Sequence, residues 1–194
     1  MRPGGTSGYS LIELLLVLAA ATTLASLALP LTSVSTDASK ARQAASFVAT
    51  RLRLARQQAV ARTTTVGLVF DMVNGRWSVR VCADGNNNGV RRADIGSGVD
   101  RCLEGPHDLE TMFPGVRVAV DSSLDGPSGE PPSPDAVRFG ASDIASFSSS
   151  GSCTAGSLFL RSSHGVQYAV RVAGVTGRTR VLRYNAPAGS WDEM

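Results

Sequence analysis

The chain has 194 residues, with 19 Lys and Arg against 16 Asp and Glu and a formal net charge of +3. That length allows one domain or two small ones, and so small a positive excess does not by itself imply a nucleic-acid partner. Its cations are unevenly chosen, because Lys40 is the only lysine and the others are arginine.

The first element is an apolar run. Gly8-Tyr9-Ser10-Leu11-Ile12-Glu13 leads into it, and from Leu14 to Thr36 there is no charged residue. Twenty-three residues of helix span roughly 35 Å, enough for the hydrocarbon core of a bilayer. A carboxylate such as Glu13 inside a membrane segment costs about 2.5–3.5 kcal/mol, so it marks a functional position unless it lies near the helix start and reaches the headgroups. In a secretory signal the cleavage point follows the apolar run. Here the small residue that could be cut after, Gly8, precedes it. Cleavage there removes a short polar leader whose only charged side chain is Arg2 and leaves the helix on the mature protein. The positive N-terminus then stays cytoplasmic and the C-terminal body lies outside.

The stretch from Gly8 to Leu18 resembles the type IV prepilin motif shared by pilins and type II secretion pseudopilins: glycine, aromatic, small polar residue, two aliphatics, glutamate, then an apolar helix. The resemblance implies that a prepilin peptidase cuts between Gly8 and Tyr9 and methylates the new amine of Tyr9. It also implies that Glu13 pairs with the N-terminal amine of a neighbouring subunit during filament assembly. Physics agrees, since a lone carboxylate in lipid gains most from a buried cation. Pro30 matches the proline many pilins carry in this helix, where it removes a backbone hydrogen bond and kinks or locally melts the helix.

Beyond the membrane, apolar residues recur at Ala41, Ala44, Ala45, Val48, Leu52, Ala55 and Ala59, the spacing of one helix face. Arg42, Arg51, Arg53, Arg56 and Arg62 occupy the other face. Strands are expected at 65–70 and 77–81 around the hairpin signal Asn74-Gly75, then at 116–120, 136–139, 157–160, 166–172 and 178–184. Residues 122–134, rich in Ser, Gly, Pro and Asp, read as an exposed loop. The expected organisation is a cleaved leader (1–8), a transmembrane and assembly helix (9–31), an amphipathic helix (32–63), a β-rich body (64–184) and a frayed tail (185–194). The fold class is α+β, a long spine helix packed on an antiparallel sheet.

Cys82 and Cys102 border one turn-rich excursion and form the expected disulfide of an extracytoplasmic body, leaving Cys153 free; the other reading is three reduced, buried thiols. Within that excursion, Asp84, Asn86 and Asn88 followed by Gly89 imitate the start of a calcium loop. The bidentate acid is missing, since Ile95 occupies its place with Asp94 one residue early, and Asp100 could substitute only if the loop bulged. Asn and Gly also make ordinary turns, and no cofactor is expected. His107 and His164 fall in expected loops, and no HExxH, GxSxG, Walker loop or paired CxxC occurs, so no catalytic set is visible.

Near the C-terminus, 147–151, 157–160, 168–172 and Gly177-Arg178-Thr179-Arg180 resemble the minor pseudopilin H and fimbrial T (GspH/FimT) group. The resemblance implies a structural subunit near a filament tip, held in the inner membrane with its body in the periplasm. Its partners would be other pilins or pseudopilins and the prepilin peptidase. In the fimbrial T branch a GRxR pattern is implied to bind DNA in natural transformation. On a strand, Arg178 and Arg180 face one side about 6.5–7 Å apart, and Arg183 lies in the same segment. Two other readings stand beside DNA: a solvated edge strand, and a contact between filament subunits.

Overall fold

The computed structural model describes residues 8–194, apart from the side chains of 25–35. Leader residues 1–7 and the side chain of Pro30 therefore lie outside the described residues. The chain divides into two units, Met1–Thr36 and Asp37–Met194.

Helix α1 runs from Leu11 to Arg62. Its start leaves large apolar side chains open, with Leu11, Ile12 and Leu16 all well exposed. Among the described residues no helix is long and apolar enough to cross a membrane. The span expected at 9–31 runs into residues whose side chains lie outside those described. At the far end Thr63 takes a left-handed φ of 53°, and the Thr64 amide bonds back to the Ala59 carbonyl at 3.2 Å, which closes the helix.

In the second unit α1 supplies the spine of the core. All seven apolar positions that set its period, from Ala41 to Ala59, are fully buried. They join the apolar faces of two antiparallel sheets rather than the single sheet expected. The first has the order β3-β2-β1-β6, with β1 (Val66–Val73), β2 (Arg76–Ala83), β3 (Arg101–Asp108) and β6 (Ile144–Phe147). The second runs β10-β9-β8-β7-β4, with β4 (Val116–Arg117), β7 (Gly156–Ser162), β8 (Gln167–Val172), β9 (Thr179–Asn185) and β10 (Ser190–Glu193); β5 (Val137–Arg138) also pairs with β7. Two short helices, α2 (Arg92–Ser97) and α3 (Leu109–Met112), flank β3. The division into two sheets arises because β6 returns to pair with β1 instead of joining the later strands.

Asn74 and Gly75 both adopt positive φ, 52° and 75°, the turn that matches the twist of a hairpin. The first sheet is covered on both sides. Leu68 and Phe70 face the main core, where Phe70 stacks on Phe139 at 5.3 Å. Val69, Cys82 and Ile144 face a smaller cluster closed by Val90. Gly67 allows that cover: a Cβ there would stand 2.8 Å from Ile144 Cγ2 and 3.3 Å from Val90 Cβ.

The expected frayed tail is a strand instead. β10 pairs with β9, and Trp191 packs on Tyr184 at 5.3 Å and on Phe159 at 5.7 Å while its Nε1 donates to the Asp125 carbonyl at 2.9 Å. One large aromatic with a polar tip and two neighbours to rest on offsets the entropy of ordering four residues. β10 covers β9 from Leu182 to Asn185, whereas Arg180 lies before that paired stretch and Arg178 precedes the strand.

Leu52 is fully buried in the spine, whereas Thr50 is exposed. Leu52→Ala should lower unfolding free energy by about 2–5 kcal/mol, with Thr50→Ala within about 0.5 kcal/mol of wild type, as read by denaturant titration.

Candidate functional site

Around the proposed cleavage point the described backbone is open. Gly8 has no neighbour within 4 Å of where a Cβ would be, Tyr9 is 85% exposed, and Glu13 sits in the first turn of α1. An acidic side chain in that turn interacts favourably with the helix dipole.

The excursion between β2 and β3 closes on itself. Cys82 and Cys102 are opposite one another in the β2–β3 register and are joined by a disulfide. Asp84 accepts the backbone N–H groups of Asn86 (3.0 Å) and Gly89 (2.7 Å), and Asp100 accepts those of Gly85 and Arg91, both at 2.9 Å. Each oxygen of these two buried carboxylates thus already has an amide partner. Asp94 accepts the side-chain amide of Asn88 at 2.9 Å and of Asn86 at 3.4 Å. Among the described residues no group of three or more His, Cys, Asp or Glu is arranged to hold a metal. Cys153 is a free thiol whose pKa burial pushes up to about 12, so it carries little thiolate near neutrality.

The arginines on the outer face of α1 do more than meet solvent. Arg51 pairs with Glu104 of β3 and lies over the Phe47 ring at 4.9 Å. Arg56 Nε donates to the Gly151 carbonyl at 3.2 Å, and Arg53 reaches the Thr179 carbonyl at 3.5 Å. These last two bonds span a groove of about 800 Å³ between the end of α1 and the turn that enters β9. Arg53, Arg56 and Arg178 line it, with Val60 and Ala61 forming its apolar side.

Gly177 explains why the turn can lie so close. At a φ of 60°, an added Cβ would stand 2.3 Å from the Gly151 carbonyl oxygen and 3.0 Å from Arg56 Nε. The glycine of the GRxR pattern is therefore required by packing, whatever the arginines bind.

Of the three arginines singled out in the sequence, the structure brings two together. Arg178 and Arg180 share the carboxylate of Glu193 on β10, at 3.3 and 3.6 Å. Arg183 belongs to the opposite face, since it pairs in register with Tyr168 whereas Arg180 pairs with Arg171, an odd number of residues apart. Arg171 is itself held by Glu130, and Arg161 by Asp121 at 3.7 Å. Arg53 and Arg56 were legible only as a solvated helix face; their place beside Gly177 depends on a fold-level contact that no local spacing encodes.

The two histidines are structural. His107 lies within β3 rather than a loop and meets Glu104 at 3.2 Å. His164 caps the start of the second unit: its backbone N–H donates to Asp37 at 2.9 Å, its Nδ1 lies 3.0 Å from the same oxygen, and the Ser163 hydroxyl donates to the other at 2.8 Å. Burial pulls the Asp37 pKa up, but these donors outweigh it and hold the carboxyl well below the usual carboxylate range.

The family model described as type II transport protein GspH matches residues 44–177, from the buried face of α1 to the glycine of the GRxR pattern. Comparison with curated proteins and with solved structures gave no match.

Because the folded-state pKa of Asp37 is depressed, its stabilisation is complete above the unfolded value near about 4 and fades as pH falls below it. Removing the charge leaves three donors underused. Asp37→Asn should therefore cost about 1–3 kcal/mol at pH 7, and the gap from wild type should narrow steadily below about pH 4 in denaturant titrations run at several pH values.

Proposed function

The chain belongs to the GspH family of type II transport proteins, and on that premise we propose that it is a minor pseudopilin of a type II secretion filament, acting near its tip. The observation that carries this reading is the family match across 44–177, which takes in the C-terminal part of α1, the whole first sheet and the second sheet up to β8. The prepilin-like stretch from Gly8 to Leu18 supports it from the other end of the chain.

On this reading a prepilin peptidase removes residues 1–8 and methylates the Tyr9 amine. Residues 9–31 hold the subunit in the inner membrane, and the body faces the periplasm, where a disulfide such as Cys82–Cys102 persists. Assembly exchanges lipid for neighbouring helices: the exposed Leu11, Ile12 and Leu16 supply apolar contact area, and Glu13 sets register by pairing with the amine of the next subunit. Pro30 loosens the helix where it enters the filament. The role is one of assembly, with no chemical step, and needs no cofactor.

A second reading, DNA binding in natural transformation, rests on Arg178 and Arg180 being exposed on one side of the body. It is weakened by Glu193, which already neutralises part of that pair, and by Arg183, which faces away.

Three measurements test these readings. Glu13→Ala should insert in the membrane as wild type does and yet fail to enter the filament, with secretion falling accordingly; normal incorporation removes the register role. Intact mass of the mature protein should fit a chain starting at N-methylated Tyr9. For the second reading, duplex DNA should bind with log affinity falling linearly in log salt, and Arg178→Gln/Arg180→Gln should lose affinity and slope together. Absence of binding at low salt removes it.

A further inference from the structure

The groove between the end of α1 and the turn entering β9 is left unexplained by filament assembly through the N-terminal helix. We propose that it is a docking surface for an acidic segment of a partner protein, with the segment's carboxylates on Arg53, Arg56 and Arg178 and an apolar side chain on Val60 and Ala61.

Charge is the first argument. Three arginines and no acid line the groove. Arg178 meets Glu193, but among the described residues Arg53 and Arg56 meet only backbone carbonyls, so each brings a full positive charge with no counter-ion. The same rim already accepts a carboxylate in the folded chain, because Glu193 sits between Arg178 and Arg180. Of the lining arginines Arg178 thus already holds a carboxylate of its own chain, which leaves Arg53 and Arg56 as the unneutralised pair.

Apolar exposure is the second argument. Val60 is 51% exposed inside the groove, and Val175, one residue from the lining Thr176, is 91% exposed. Apolar side chains bared within a rim of arginine are the composition of a protein interface, in which arginine is enriched and the buried centre is apolar. A phosphodiester backbone needs the charges but not the apolar wall, and none of the lining residues is an aromatic on which a base could stack. The hydroxyl of the nearly buried Thr179, also part of the lining, has no hydrogen-bond partner.

Geometry is the third. The groove's two walls come from elements far apart in sequence, but Gly177 and the two cross-groove bonds of Arg53 and Arg56 hold them at one separation. A pre-formed cleft binds without the cost of ordering its walls. The inference rests on the pseudopilin reading only in taking the partner to be a protein.

The test uses the full chain in detergent micelles and a fluorescein-labelled peptide of alternating Glu and Leu, read by anisotropy against empty micelles. Wild type should bind the peptide. Arg53→Gln/Arg56→Gln should raise Kd about tenfold or more, the loss expected of a well-placed arginine contact. Because that pair also ties α1 to the sheet, Val60→Glu serves as a second variant. It keeps all three arginines and places an acid at an exposed position on the apolar wall, and it too should raise Kd about tenfold. Arg62→Gln, outside the groove, should bind as wild type. No binding by wild type, or unchanged binding by Val60→Glu, overturns the inference. Displacement of the peptide by duplex DNA at lower concentration than by unlabelled peptide also overturns it and assigns the groove to nucleic acid. Failure here leaves the Glu13→Ala secretion result untouched, so the two readings fall separately.

Discussion

Burial of the alanine-rich face of α1 is the constraint from which the second unit is built. Ala41, Ala44, Ala45, Ala55 and Ala59 present only a methyl group to the core they share with both sheets, and Val48 and Leu52 add the larger side chains of that face. Each methyl is worth only about 0.8 kcal/mol on transfer from water, but the face as a whole cannot be left open without exposing the inner surfaces of two sheets at once. The C-terminal part of α1 is therefore the centre of the second unit.

That placement determines where the arginines go. Once the alanine face is fixed inward, Arg51, Arg53 and Arg56 must leave from the other side, and each finds a partner on a different later segment: Glu104, Thr179 and Gly151. Asp37 does the same one turn below the buried face, holding the β7–β8 turn through Ser163 and His164. These ties draw four distant segments to the helix, and Gly177 permits the close approach at Arg56. The groove is a by-product of this closure, and its charge follows from helix periodicity.

Much of the fold was legible locally. The 3–4 spacing of small apolar residues marked the buried face of α1, and Asn74-Gly75 marked the hairpin. Strands β7, β8 and β9 showed as runs of apolar residues bounded by Gly and Ser. Strand β3 escaped notice because Gly105 and Pro106 interrupt a largely polar run, and it is held by register with β2 and by the Cys82–Cys102 bridge rather than by its own pattern. β10 escaped because four residues are too few to show alternation, and its order comes from Trp191 meeting Tyr184 and Phe159. The candidate site was half visible. Gly177, Arg178 and Arg180 could be picked out as a pattern, but Arg53 and Arg56 join them only through packing, and the parity that turns Arg183 away depends on the exact start of β9.

Native-state hydrogen exchange on the full chain in micelles tests the central role of α1 most directly. If the alanine face is the keystone of the body, amides across residues 44–59 should exchange only through global unfolding, with the same opening free energy as the central amides of β1 and β8. Exchange of 44–59 through local opening, while β1 and β8 stay protected, would show that the sheets hold without the helix and would contradict the account.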